Sequence, residues 1–222
     1  MRARPGAGRR RTSRFAAAAL ALVALAGCTS GGADEEGDDY WSPPLRPPGA
    51  PDIDYDSPAL QEARAAAGIE ACAPGDRTTG PAVLPDLTLP CLGGGESVDL
   101  SSFQGPILVN VWASFCTPCR KELPALQQFH ERYGDEVTVL GVDYNETSPE
   151  EAIALLDETG ATFPQLIDIE LELGTREPFV PLREIPRTVV VDADGEVTVL
   201  AQSFDDLDDL LDAVAEPLGL DR

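Results

Sequence analysis

Residues 105–122 read GPILVNVWASFCTPCRKE. The run Ile107–Trp112 is apolar at every position except Asn110 and is rich in Val and Ile, which suits a strand buried on both faces. After an interval of three residues comes Cys116-Thr117-Pro118-Cys119, and Arg120, Lys121 and Glu122 then open a helical pattern. The two cysteines therefore stand where a strand passes into a helix. Unpaired N–H groups and the positive end of the helix dipole favour a thiolate at such a junction. Taken alone, a C-x-x-C pair also fits half of a zinc site. That reading needs two further ligands, and the chain has a single histidine, His130.

Downstream, Leu123, Leu126, Phe129 and Tyr133 share one face of a helix predicted over 118–133, which Pro124 is expected to bend. His130 borders that face as a partly exposed helix side chain. VTVLGVD (137–143) reads as a second buried strand, and SPEE (148–151) opens a helix through Glu158. Residues 163–168 form a shorter strand and 171–174 a brief turn or helix. A loop over 175–187, TREPFVPLREIPR, holds three prolines. Thr188–Asp192 and Glu196–Ala201 are strands joined by a hairpin turn over Asp192–Gly195. A closing helix over 205–218 gathers Leu207, Leu210, Leu211, Val214 and Leu218 on one side, and its acids crowd the first turn, where the dipole favours them. Upstream, SPALQEARAAAG (57–68) has a serine cap, a proline at the first helical position and a terminal glycine. LPDLTLPCL (84–92) and SVDLSS (97–102) are two short strands around three glycines, with Cys91 in the first. This order predicts an α/β fold, a central mixed sheet flanked by helices, with an N-terminal helical and hairpin extension.

The first 27 residues read differently. Six arginines precede a short apolar segment, Phe15–Ala26, which matches an export signal and is too short for a membrane span of about 20 residues. Arg10-Arg11 leaves both the general secretory and the twin-arginine routes open. Leu25-Ala26-Gly27-Cys28 resembles the lipobox of bacterial lipoproteins, in which the cysteine is lipidated and becomes the first residue of the mature protein. The alternative is an ordinary cleaved signal with an incidental cysteine. Residues 28–57 are rich in Gly, Ser, Pro and acids and read as a flexible tether reaching roughly 30 Å. The leader holds six of the 16 basic residues and none of the 39 acidic ones, so the remainder carries 10 against 39, a formal charge of −29. Such a surface repels nucleic acid and anionic lipid.

With Cys28 carrying lipid, four of the five cysteines remain. Cys116 and Cys119 pair by proximity, which leaves Cys72 with Cys91. In an exported protein that pair is expected to be a structural disulfide; a second redox relay is the functional alternative.

WASFCTPCRKELP (112–124), with IPRT (185–188) some 70 residues later, resembles the thioredoxin superfamily. More narrowly, the chain is similar to the membrane-anchored TlpA/ResA-like thiol–disulfide reductases of bacterial envelopes. The resemblance covers about residues 81–218. Together with the readings above, it divides the chain into a signal peptide over 1–27, a tether over 28–57, an N-terminal extension over 58–80 and a thioredoxin-like domain over 81–222. It implies no cofactor. Cys116 would be the exposed attacking thiolate and Cys119 the buried resolving thiol. Pro186 would be a cis-proline facing the cysteines, with Phe115, Thr117, Pro118, Ile185 and Pro186 forming the surface that holds an extended partner peptide. Asn110 stands where cytoplasmic thioredoxins carry a buried aspartate. Glu122 matches an acid near the active site of ResA-like proteins and is the candidate proton acceptor for the cysteines.

Two departures bear on partner choice: Phe115 replaces the usual tryptophan, and Glu184-Ile185 replaces a small residue plus an apolar one. The family role is to keep cysteines of apocytochrome c or other envelope proteins reduced, using electrons from a membrane donor. Arg120, Lys121, Arg176, Arg183 and Arg187 all fall in or near the active-site segments, where positive groups lower a thiolate's pKa. The competing readings are an oxidant or isomerase of exported proteins, a thiol peroxidase and a metallochaperone. Such peroxidases carry threonine three residues before the reactive cysteine, where this chain has Ala113. His130 lies on a helix rather than in a mobile metal-binding loop.

Overall fold

A computed structural model describes residues 52–78 and 80–220. The leader, Cys28 and the tether up to residue 51 lie outside the described residues. Among those described, no helix is long and apolar enough to cross a membrane.

The structure is built on a five-stranded mixed sheet in the order β5-β4-β3-β6-β7. Its strands are β3 (Ile107–Trp112), β4 (Thr138–Tyr144), β5 (Gln165–Asp168), β6 (Arg187–Val191) and β7 (Val197–Leu200). β3, β4 and β5 run parallel, β6 is antiparallel to β3, and β7 is antiparallel to β6. Every residue of β3 is buried, as a central parallel strand requires. The sheet is flanked by α1 (Pro58–Ala66), α2 (Thr117–Tyr133), α3 (Pro149–Thr159) and α4 (Leu207–Leu218). α2 packs against α4, and α1 against α3. Asp206 caps α4 by accepting from the Asp209 N–H at 3.0 Å.

The upstream hairpin is shorter than its apolar pattern predicts. β1 is only Thr88–Leu89 and β2 only Val98–Asp99. Pro85 and Pro90 lack the N–H that would extend the first strand. The Asp99 carboxylate accepts from the Ser101 N–H at 2.8 Å and turns the second into a 3-10 segment over Leu100–Ser102. Cys91 thus lies outside β1 and bridges to Leu166 of β5. The Leu92 N–H donates to the Gln165 carbonyl and the Ile167 N–H to the Pro90 carbonyl, both at 2.9 Å. Residues 90–92 thereby cover an edge of the sheet that would otherwise expose unpaired backbone groups.

The stretch just before α1 also differs from a bare tether. Tyr55 packs against the core, and its carbonyl accepts from the Gly93 N–H at 2.8 Å.

One glycine follows from packing. Gly141 pairs in register with Asn110 on one side and Gln165 on the other, and a Cβ there would overlap the Gln165 carboxamide. The space lets Gln165 Oε1 accept from Trp112 Nε1 at 2.9 Å.

Candidate active site

Cys116 is the N-cap of α2, and Pro118 occupies the first turn, where its missing N–H costs nothing. The Cys119 N–H points at Cys116 Sγ, 3.3 Å away. The sulfur therefore sits on the free amides and positive dipole end of a 17-residue helix. Cys116 and Cys119 are joined as a disulfide with their Cα atoms 5.3 Å apart. Cys72 and Cys91 form a second disulfide, Cα atoms 5.9 Å apart, next to the covered edge of β5.

The loop before β6 folds over the motif. The Ile185–Pro186 bond is cis, and the Ile185 carbonyl oxygen lies 3.6 Å from Cys116 Sγ. Ile185 and Pro186 are buried, Pro118 is half-buried, and Thr117 and Phe115 are exposed. The structure therefore brings Phe115, Thr117, Pro118, Ile185 and Pro186 around one disulfide. Cys116 departs from expectation: in this oxidised state it is 1 % exposed, scarcely more than Cys119 at 0 %. The Ile185 carbonyl and the bond to Cys119 cover the sulfur that was expected to face solvent.

Glu122 stands one helical turn beyond Cys119, fully buried. Its Oε1 accepts from Asn110 Nδ2 at 2.8 Å, and the same amide reaches Thr188 Oγ1 at 3.2 Å. Among the described residues Oε2 has no hydrogen-bond partner within bonding distance. Burial pushes the Glu122 carboxyl up to about 8, and the Asn110 bond and the Phe204 backbone oppose the shift. A carboxyl poised there can take or give a proton in the neutral range.

The basic residues are spread around the rim. Arg120 donates to the Ser114 carbonyl at 3.3 Å and pairs with Glu158 at 3.9 Å. Arg187 pairs with Glu184 at 3.8 Å, and Arg176 donates to the Asp86 carbonyl at 3.4 Å. Lys121 and Arg183 are exposed. The exposed Arg120–Glu158 pair is worth less than about 1 kcal/mol, so it contributes field rather than stability. His130 is partly exposed, as expected, and its Nε2 lies 2.9 Å from Glu70 Oε1, tying α2 to the segment that leads to Cys72.

Two polar features were not singled out from sequence. Glu146 accepts from the Ser114 N–H at 3.0 Å, just before the motif. Asp143, adjacent to Glu146 in space, is fully buried. The signal available was one acid closing the largely apolar 137–143.

Comparison with known proteins follows the same lines. The chain is 31% identical over 115 residues to the thioredoxin-like protein YneN of Bacillus subtilis, covering 51% of this chain and 65% of that one. It is 29% identical over 106 residues to the thiol-disulfide oxidoreductase ResA of Halalkalibacterium halodurans, covering 46% and 57%. The alignments thus span somewhat less than two thirds of these relatives' length. A solved secreted thiol-disulfide isomerase from Corynebacterium glutamicum superposes with a TM-score of 0.52 at 29% identity, over 58% of this chain and 81% of that one. These neighbours share the thioredoxin-like fold. The model of the AhpC/TSA family matches residues 82–200, more than half of the chain and the whole of the disulfide site, so the chain belongs to the AhpC/TSA family.

Proposed function

We propose that the chain is a protein thiol–disulfide oxidoreductase, lipid-anchored through Cys28 outside the cytoplasmic membrane, that reduces disulfides of envelope proteins. Apocytochrome c is among the substrates this reading admits. The observation that carries it is the Cys116–Cys119 disulfide on the N-terminus of α2, faced by the Ile185 carbonyl. In the reduced protein, the Cys116 thiolate attacks one sulfur of a substrate disulfide. A mixed disulfide forms, and the leaving substrate thiolate takes up a proton. Cys119 passes its proton to the ionised form of Glu122 and attacks Cys116 Sγ, and the second substrate sulfur leaves as a thiolate that takes up that proton. Two electrons have moved to the substrate, and the Cys116–Cys119 disulfide returns to its reduced form at the expense of a membrane electron donor. Pro186 and the backbone beside it hold the extended substrate, with Phe115 and Thr117 on the open side. The Cys72–Cys91 disulfide takes no part in turnover.

Cys119→Ala tests this reading, because it leaves the mixed disulfide with no resolving thiol. The expected result is a covalent adduct of Cys116 with cysteine-containing envelope proteins, released by dithiothreitol and absent in Cys116→Ala. No adduct, together with no reversible two-electron couple in the unmodified protein, would overturn it. The likeness to a thiol-disulfide isomerase supports a second reading, an isomerase or oxidant of exported proteins. The potential separates the two: a value near −270 mV fits a reductase, and one near −120 mV an oxidant.

A further inference from the structure

Asp143 lies in β4, in register with Trp112 of β3 and Ile167 of β5, neither of which carries charge. It is 0 % exposed, and among the described residues no N–H or O–H group donates to either of its carboxyl oxygens. A buried carboxylate without partners is among the costliest groups a fold can hold. Glu146, 1 % exposed, lies within hydrogen-bond reach of it and, among the described residues, is the charged group acting on it. Two ionised carboxylates offer only acceptors and cannot bond to each other; one proton turns the contact into an O–H···O⁻ bond.

The surroundings decide which residue keeps that proton. Glu146 Oε2 accepts from the Ser114 N–H at 3.0 Å, and Oε1 accepts from the N–H groups of Thr147 at 2.8 Å and Ser148 at 2.9 Å. Both Glu146 oxygens are thus already engaged as acceptors of backbone donors. Asp143 has none. Burial holds the Asp143 carboxyl well above the usual carboxylate range, and the neighbouring Glu146 charge pushes it further the same way.

We propose that Asp143 is a positioning residue of the disulfide site: a neutral carboxylic acid whose O–H donates to Glu146 and so fixes the carboxylate that anchors the Ser114 amide, two residues before Cys116. This rests on the redox reading of Cys116 and Cys119. The shared proton places one negative charge, not two, beneath the segment that carries the attacking sulfur. Loss of the proton would set two buried carboxylates against each other and release the anchor on Ser114.

The proton itself is counted by comparing the pH dependence of folding in the oxidised full chain and in Asp143→Asn. Folded wild type holds a proton that its unfolded chain has lost above the ordinary aspartate range, so its stability falls as pH rises; the asparagine does not titrate. The expected result is that the folding constant of Asp143→Asn, relative to wild type, rises tenfold per pH unit above about pH 4. A ratio independent of pH would show Asp143 ionised and overturn the proposal. The infrared difference between wild type and Asp143→Asn at neutral pH is a second measure. A protonated-acid carbonyl band lost in the variant supports the proposal, and its absence refutes it; Glu122 cancels in the difference.

Positioning is read from the Cys116 thiolate, followed by ultraviolet absorbance in the reduced protein. Asp143→Asn keeps a donor toward Glu146 and should titrate like wild type, whereas Asp143→Val should shift the midpoint by about half a unit or more. Identical titrations of the two variants would remove Asp143 from the site. Failure of the redox reading is distinguishable, since a wild type without a reversible Cys116/Cys119 couple leaves the folding and infrared measurements intact.

Discussion

Replacing both Cys72 and Cys91 by alanine is expected to destabilise the protein by about 3 kcal/mol through chain entropy alone. The two residues are 19 apart in sequence. A cross-link closing a loop of that size removes roughly 11 cal/mol/K from the unfolded chain, or about 3 kcal/mol at 25 °C. The native state loses in addition. Cys72 and Cys91 are 8 % and 1 % exposed, so two buried sulfurs leave a small void worth on the order of 1 kcal/mol. Cys91 also sits in the segment that covers the edge of β5, flanked by the hydrogen bonds of Pro90 and Leu92.

The assay is urea unfolding of oxidised wild type and the double variant, with the Cys116–Cys119 disulfide intact in both. The expected outcome is a lower midpoint and a higher slope, because the unfolded variant lacks the cross-link and exposes more surface. Capture of substrate through Cys116 should persist. The reasoning fails if the loss is below about 1 kcal/mol. It fails equally if the Cys72–Cys91 pair of wild type equilibrates near −270 mV, in the range of thioredoxin, rather than below about −300 mV as a structural disulfide does; the pair would then be a relay.

Glu122→Gln keeps the shape of the side chain and an oxygen for Asn110 but cannot titrate. The folded carboxyl titrates near 8 against an ordinary 4.5, so folded wild type holds a proton across that window while the unfolded chain does not. Wild-type stability therefore falls as pH rises from about 4.5 to about 8, and the variant should gain on it by a few kcal/mol in total. A flat difference across that range would refute the burial argument, and an unchanged thiol pH profile would remove Glu122 as the proton partner of Cys119. Gly141→Ala drives a methyl group into the Gln165 carboxamide and breaks its bond to Trp112 Nε1. About 2–4 kcal/mol of stability should be lost, with an altered tryptophan fluorescence spectrum. A variant with unchanged stability and spectrum would mean that Gln165 has another place to go.

Much of this molecule is written locally. The run Ile107–Trp112 can only be a covered strand, and Cys116-Thr117-Pro118 caps whatever helix follows, because both depend on side chains within a few positions of one another. The alternation of strands and helices then leaves few ways to build a sheet. Short elements were less legible: Pro85, Pro90 and the Asp99 side chain cut the expected upstream strands to two residues each.

What only the tertiary structure decided is environment. Glu122 is a helix glutamate by pattern; the Asn110 amide and the packing around it make it a buried acid near 8. Cys116 reads as an exposed nucleophile until the Ile185 carbonyl, 69 residues away, covers it. Asp143 and Glu146 look like acids at a strand end, and only when β3 and β4 lie side by side does Glu146 accept from the Ser114 amide, two residues before Cys116. Periodicity and spacing report which backbone forms. Desolvation and proton placement depend on which distant groups close over a side chain, and no local pattern encodes that.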